Sequence, residues 1–281
     1  MVNYKNLRLN NITSPQYRHL LLLIFWPIYG LIFLILERGL TLPYHDIYCA
    51  LDDLIPFNEW FVIPYYFWFV YIVGMLFYTG FFDIPSYRKY MWFIIFTYLA
   101  TCAFYVIYPN AQQLRPVQFE RDNILVTIVK NLYAFDTNTN VCPSLHVIGS
   151  VAVSYGAWNS KHFKTPLWRI LFSVVTLIIS FSTVFLKQHS IIDVIAGFAV
   201  CVVAIPLTEL FCKKLYKNAY NWDATQQNTE SGQNAPSDRS KVPQPSDSKP
   251  TTQPVTGQSA PLPSEAMQPA LSGRMRETVK K

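Results

Sequence analysis

Apolar residues recur in long, nearly uninterrupted blocks as far as Tyr216, separated by short stretches rich in charge, proline and asparagine. A helix crossing a bilayer needs about 20 predominantly apolar residues. The pattern predicts six such helices, running roughly Leu20 to Leu36, Trp60 to Phe82, Met91 to Tyr108, Val141 to Trp158, Leu167 to Leu186 and Ile191 to Phe211. The fourth is the weakest. It is short and carries Gly149, Ser150, Ser154, Tyr155 and Gly156, which suit close packing inside a bundle better than lipid contact. The first follows Lys5, Arg8 and Arg18 as a signal peptide would, but it is too long and ends in Glu37-Arg38 with no small-residue cleavage site, so it reads as a retained helix.

The expected fold is therefore all-α: a short N-terminus (residues 1–18), an integral membrane bundle of six transmembrane helices (residues 19–217), and a polar tail (residues 218–281). The tail is rich in Gln, Ser, Pro, Thr and Asn, buries too little surface to offset its ordering entropy, and is expected to be disordered. Between the third and fourth spans, Arg121 to Tyr133 is amphipathic, with Ile124, Ile128 and Leu132 at helical spacing. It reads either as an interfacial helix bordering a lipid entrance or as a packed connecting helix.

Composition agrees with a membrane protein: hydrophobic residues make up 51% and charged residues 14%. Lys and Arg favour cytoplasmic loops. They gather before the first span, at Arg88 and Lys89, at Lys161, Lys164 and Arg169, and at Lys213, Lys214 and Lys217. The first connection is instead acidic, with Asp46, Asp52, Asp53 and Glu59, and reads as a solvated loop rather than a metal cluster. Both termini are expected in the cytoplasm and the odd-numbered connections outside. The net charge of +6 reflects these inner-face residues, not a nucleic-acid groove. Of the five cysteines, Cys49 and Cys142 are expected outside and are placed to pair; no spacing suggests a structural metal site.

Candidate chemistry lies at two helix entrances. His189 and Asp193 are an i, i+4 pair, so one carboxylate can hold one imidazole nitrogen and leave the other free. The string Cys142-Pro143-Ser144-Leu145-His146 puts a second of the five histidines at the start of another apolar helix. Either histidine alone would read as a polar anchor, but ionisable groups at the edge of apolar spans suggest function. The topology also places Arg115, His146, Lys187, His189 and Asp193 on one side of the membrane.

These strings resemble the type 2 phosphatidic acid phosphatase superfamily, with its Lys-x6-Arg-Pro, Pro-Ser-x-His and Ser-Arg-x5-His-x3-Asp motifs in that order. Here Arg115-Pro116 follows the third span, Pro143-Ser144-Leu145-His146 opens the fourth, and Ser182-Thr183, His189 and Asp193 supply the last. Tyr108 stands where the first motif has Lys, and Thr183 where the third has Arg; Lys187 is the nearest substitute cation, with Arg121 a weaker one. The chain looks closer to the branch similar to inositolphosphotransferases and sphingolipid synthases.

The resemblance implies that His189 attacks phosphorus to form a phosphohistidine, with Asp193 fixing its tautomer. It implies His146 as general acid and then base, and Arg115, Lys187 and Ser144 as phosphate-binding groups near a helix N-terminus. Pro143 suits the first helical turn. No cofactor and no metal is implied. The expected partners are a lipid phosphate substrate and the membrane, not nucleic acid; nothing specifies an oligomeric state. The first reading is a phosphatase acting on lipid phosphate esters or pyrophosphates at the outer leaflet of the plasma membrane. A lipid phosphotransferase, in which a lipid hydroxyl replaces water, is the alternative, and a catalytically silent scaffold or transporter the third.

Overall fold

The computed structural model describes residue 2, residues 4–39 and residues 43–217; the expected tail lies outside the described residues. A 3-10 turn, Arg18–Ile24, leads into α1 (Phe25–Gly39). A short helical turn, α2 (Leu51–Leu54), precedes α3 (Val62–Phe82) and α4 (Ile84–Ile107). Then follow α5 (Ile124–Phe135), α6 (Leu145–Asn159), α7 (Pro166–Phe185) and α8 (Ile191–Leu215).

Five of the six expected spans are long and apolar enough to cross a membrane: Arg18–Arg38, Glu59–Phe82, Ile84–Ile107, Pro166–Phe185 and Ile191–Leu215. Their outward faces expose large apolar side chains such as Val70, Leu31, Ile170 and Val202, which water would not favour and lipid does. The chain is a helical integral membrane protein.

The helix at the expected fourth span differs. α6 has 15 residues, about 22 Å at 1.5 Å per residue, short of the roughly 30 Å hydrocarbon core. It is instead the hub of the bundle, packed against α3, α4, α7 and α8 and buried along most of its length. Gly149 permits this: a Cβ there would lie 2.6 Å from Ile72 Cδ1 and 2.8 Å from the Tyr98 hydroxyl. The small residues that weakened the span are what let its neighbours approach.

The helix ends follow local chemistry. Asp83 caps α4, accepting from the Ser86 N–H, with a proline in the first turn. At this end of the bundle Lys89, early in α4, bridges Glu209, late in α8, at 2.8 Å and donates to Asn159 at the end of α6 at 2.7 Å. The other end carries the loops that matter below. Two residues of strand β1 (His45–Asp46) pair in parallel with β2 (Asn110–Ala111), and Ala111 bridges Thr139, a minor addition to the all-α expectation. Asn110 is fully buried; its side chain accepts from the Val141 and Cys142 N–H groups and donates to Cys142 O. It thereby shapes the approach to α6. Gln112 donates from Nε2 to Lys187 O at 3.0 Å and ties this loop to the entrance of α8.

α5 is a packed connecting helix. Its buried residues are Val126, Val129 and Leu132, the last two set against Val62, Tyr65 and Leu186. Of the expected stripe, Leu132 is buried and Ile128 packs against the same cluster, while Ile124 is 76% exposed. Cys49 and Cys142 are both free rather than paired.

Candidate active site

The turn between α7 and α8 sets the first histidine. The Thr183 carbonyl accepts from both Gln188 N and His189 N, closing α7 and turning the chain into α8. Lys187 takes a positive φ of 53° within this turn, an uncommon conformation for a residue with a side chain. Ser190 caps α8 in a reciprocal box with Asp193: its hydroxyl accepts from Ile192 N, and Asp193 Oδ2 accepts from Ser190 N at 2.9 Å. The same Oδ2 lies 3.2 Å from His189 Nδ1, on a fully buried carboxylate. The cap and the His189–Asp193 pairing thus share one atom. The imidazole Nε2 is left on the side away from the carboxylate.

Sequence reasoning missed the group that holds this turn from behind. Asp52, expected in a solvated loop, is fully buried. Its carboxylate accepts from Ser190 Oγ at 2.6 Å, Ile191 N at 2.8 Å and Cys49 N at 2.9 Å. It lies against the N-terminus of α8, where a negative charge is favoured.

The second histidine comes from α6. Ser144 is the N-cap of this helix, so Pro143 lies just outside the first turn expected for it, and the Cys142–Pro143 bond is cis. Ser144 N donates to Asp193 O at 3.1 Å, joining the entrances of α6 and α8. Gly197, one turn beyond Asp193, lets the two helices touch: a Cβ there would lie 3.0 Å from Val147 Cβ and 3.2 Å from Ser144 O. His146 is held between Tyr65 and Trp68, with ring centroids at 4.3 and 4.4 Å, and meets His189 edge-on at 5.7 Å. Its Nε2 is buried without a protein partner.

His146 and His189 line one cavity of about 50 Å³ with Gln188, Asp136, Asn140 and Tyr105 among its other walls. A larger cavity, about 300 Å³, lies by Lys89 and Glu209 at the opposite end. Lys89 is already neutralised there, and no histidine lines it, so the smaller cavity is the candidate site.

The expected phosphate-binding groups divide. Arg115 stands beside this cavity. It donates to Tyr133 O at 3.1 Å, Thr137 O at 2.7 Å and the Gln188 side chain, and covers the Tyr133 ring at 4.6 Å. Its Nε–H is buried and has no protein acceptor, and the same holds for the Gln188 amide nitrogen and the Ser144 hydroxyl. Lys187 is not brought to the histidines. Its ammonium donates to the Asp52 carbonyl at 2.6 Å and braces the loop behind the site. Desolvation lowers its pKa, against the pull of Asp52 and Asp53.

The two departures from the family motifs have structural explanations. Thr183 turns its hydroxyl back onto Ser180 O and is fully buried, so it does not replace the arginine. Tyr108 stacks on His45 at 4.1 Å. Arg121 pairs with Glu59 at 3.3 Å. Among the described residues, no group of three or more His, Cys, Asp or Glu side chains is clustered as a metal would need.

A helical membrane bundle with two facing histidines, one backed by a carboxylate, defines a candidate phosphoryl-transfer site. A family model for the PAP2 superfamily matches residues 32–207, well over half of the chain, and the protein belongs to that superfamily. Membership carries a phosphatase- or phosphotransferase-type function. No curated protein and no solved structure matches the chain.

Proposed function

We propose that the protein transfers the phosphoryl group of a lipid phosphate ester through a phosphohistidine at His189, with water as the acceptor. The observation that carries this reading is the His189–Asp193 pair facing His146 across one cavity. His189 Nε2 attacks phosphorus while the bond to the leaving oxygen breaks, and His146 gives that oxygen its proton. Asp193 holds the proton on Nδ1 and stabilises the imidazolium. Water then attacks phosphorus, passes a proton to His146, and the phosphorus–nitrogen bond breaks. Arg115 and Gln188 offer donors to the phosphoryl oxygens.

A second reading, a phosphotransferase using a lipid hydroxyl, is favoured by the shortage of free cations, since Lys187 is spent on Asp52 O. Location of the site on the extracytoplasmic side is supported by Lys89, Lys161 and Lys213 gathering at the far end of the bundle, since Lys and Arg favour the cytoplasmic face.

The test is phosphate release by purified, detergent-solubilised protein from a panel of phosphatidic acid, prenyl pyrophosphate and phosphatidylglycerol phosphate. Activity is expected to persist in chelator and to vanish in His189→Ala, with an acid-labile phosphoenzyme trapped in the wild type alone. Full activity in His189→Ala overturns the mechanism. If no lipid releases phosphate, labelled transfer from a phosphodiester lipid to ceramide or diacylglycerol decides for the second reading.

A further inference from the structure

One wall of the histidine cavity is built of acceptors. Asp136, at the end of α5, lines it together with His146 and His189, and its carboxylate accepts from the Tyr65 hydroxyl at 2.9 Å. Tyr65 is the same ring that packs on His146. Beside Asp136, Asn140 is 5% exposed and its Oδ1 has no protein donor. The donors of the same cavity are at His146, His189 and Gln188.

The fixed charges around this space do not favour a strongly anionic ligand. His189 and Arg115 are the groups that favour the charged form of Asp136, and the Arg115 guanidinium already serves two backbone carbonyls and Gln188. Lys187 faces away, toward Asp52. Against one arginine stand Asp136 and Asp193, the latter held on His189. Tyr29, Tyr65 and Tyr66 are further titratable groups that interact with Asp136. In a site sheltered from water, one more negative charge on the ligand is expensive next to an unneutralised carboxylate.

Resting on the proposed phosphoryl-transfer reading, we infer that Asp136 sets the charge selectivity of the cavity, admitting a singly charged phosphoryl group and turning away a doubly charged one. The carboxylate does not react. It accepts a hydrogen bond from the O–H of an incoming or departing hydroxyl and holds that group beside His146, leaving the donor wall to the phosphoryl oxygens. Substrates whose phosphorus bears two ester links, or whose single ester is protonated, fit both walls at once.

The test compares two small ligands on the purified full chain in detergent. These are methylphosphonate, held above its second ionisation and so doubly charged, and its monomethyl ester, which carries one charge. Binding is read by titration calorimetry, independently of turnover. The wild type is expected to prefer the ester. Asp136→Asn, which keeps an acceptor for Tyr65, should improve binding of the doubly charged ligand roughly a hundredfold and of the ester roughly tenfold, so that the ratio between them falls about tenfold, the scale of one unit of charge about 10 Å away at an effective dielectric of about 20. Asp136→Glu, which keeps the charge, should keep the wild-type ratio; Asp136→Ala, should the Asn variant not fold, should lose it. Equal ratios in wild type and both neutral variants overturn the role of Asp136 and leave the phosphoryl site standing. Binding of neither ligand to the wild type overturns the site itself, and the selectivity with it.

Discussion

Ser190 donates its hydroxyl to the Asp52 carboxylate at 2.6 Å, across 138 residues of sequence. Asp52 also receives the Ile191 and Cys49 N–H groups, so three donors converge on one buried carboxylate behind the turn that carries His189. Replacing it with alanine strands those donors. Asp52→Ala should cost about 2–3 kcal/mol, the scale of hydrogen bonds to a charged group, read as a lower midpoint of thermal unfolding in detergent. Because the turn carries His189, kcat should fall while KM changes little. Asp52→Asn, which keeps part of the set, should recover part of both; a variant as stable and active as wild type would show that Asp52 does not hold the turn.

Asp193 has two duties on one oxygen, capping Ser190 N and holding His189 Nδ1. Asn at this position keeps a carbonyl oxygen for the cap and loses the charge. Asp193→Asn should therefore lower kcat by a factor on the order of 10⁴, as when a tautomer-fixing carboxylate is removed from a triad, with unfolding nearly unchanged. A loss of stability without a loss of kcat would assign Asp193 to the cap alone.

Lys187 and Arg115 separate in the same way. The Lys187 ammonium serves the Asp52 carbonyl, whereas the Arg115 Nε–H is buried without a protein acceptor. Lys187→Met should reduce stability by about 1–3 kcal/mol, through the lost charged donor, and leave KM for an anionic lipid within about twofold. Arg115→Lys should raise KM, since an ammonium cannot reproduce the planar set of donors. The reverse pattern would return Lys187 to the phosphate.

Much of this was legible in the sequence. His146, His189 and Asp193 could be placed together because helix direction alone puts the entrances of α6 and α8 at one end. The five long spans followed from apolar length. What was not legible depended on contacts between distant segments. Asp52 looks like any loop carboxylate until the chain folds it onto Ser190. Asp136 lies in the polar run Asp-Thr-Asn-Thr-Asn, which reads as a connection and gives no sign that a cavity wall passes through it. Lys187 was near His189 in sequence, but its left-handed turn sends the side chain the other way. The fourth span, short in the sequence, forms a 15-residue helix buried in the bundle, and apolar composition does not by itself distinguish contact with lipid from contact with other helices.

Asp136 should also be costly to the fold. Burial raises its carboxyl pKa, and the Tyr65 hydrogen bond, His189 and Arg115 offset this only in part. A raised carboxyl pKa means that the charged form is penalised in the folded state. The penalty is present above the folded pKa and gone below the unfolded value of about 4. Asp136→Asn should therefore melt above wild type at neutral pH, and the gap should narrow as pH falls toward 4, the ordinary carboxylate range. A gap that widens on acidification would mean that the carboxylate is stabilised by its partners.

Gly197 tests whether the spacing of the two histidines is set by helix contact. A Cβ at this position meets Val147 Cβ at 3.0 Å and Ser144 O at 3.2 Å, so Gly197→Ala must move α8 and α6 apart by a few tenths of an ångström. α8 carries Asp193 and follows His189, and α6 carries His146 two residues beyond Ser144. The shift therefore falls directly on the 5.7 Å separation of the histidine rings. Overpacking of this kind costs about 1–3 kcal/mol, and small displacements of reacting groups are felt strongly in rate, here roughly tenfold in kcat. Val147→Ala removes the atoms that the new methyl would strike. In the Gly197→Ala, Val147→Ala double variant kcat should recover toward the Val147→Ala value, a non-additive result expected of residues in contact. Additive losses would mean that the two helices are held at their distance by the Ser144–Asp193 backbone bond and not by this contact.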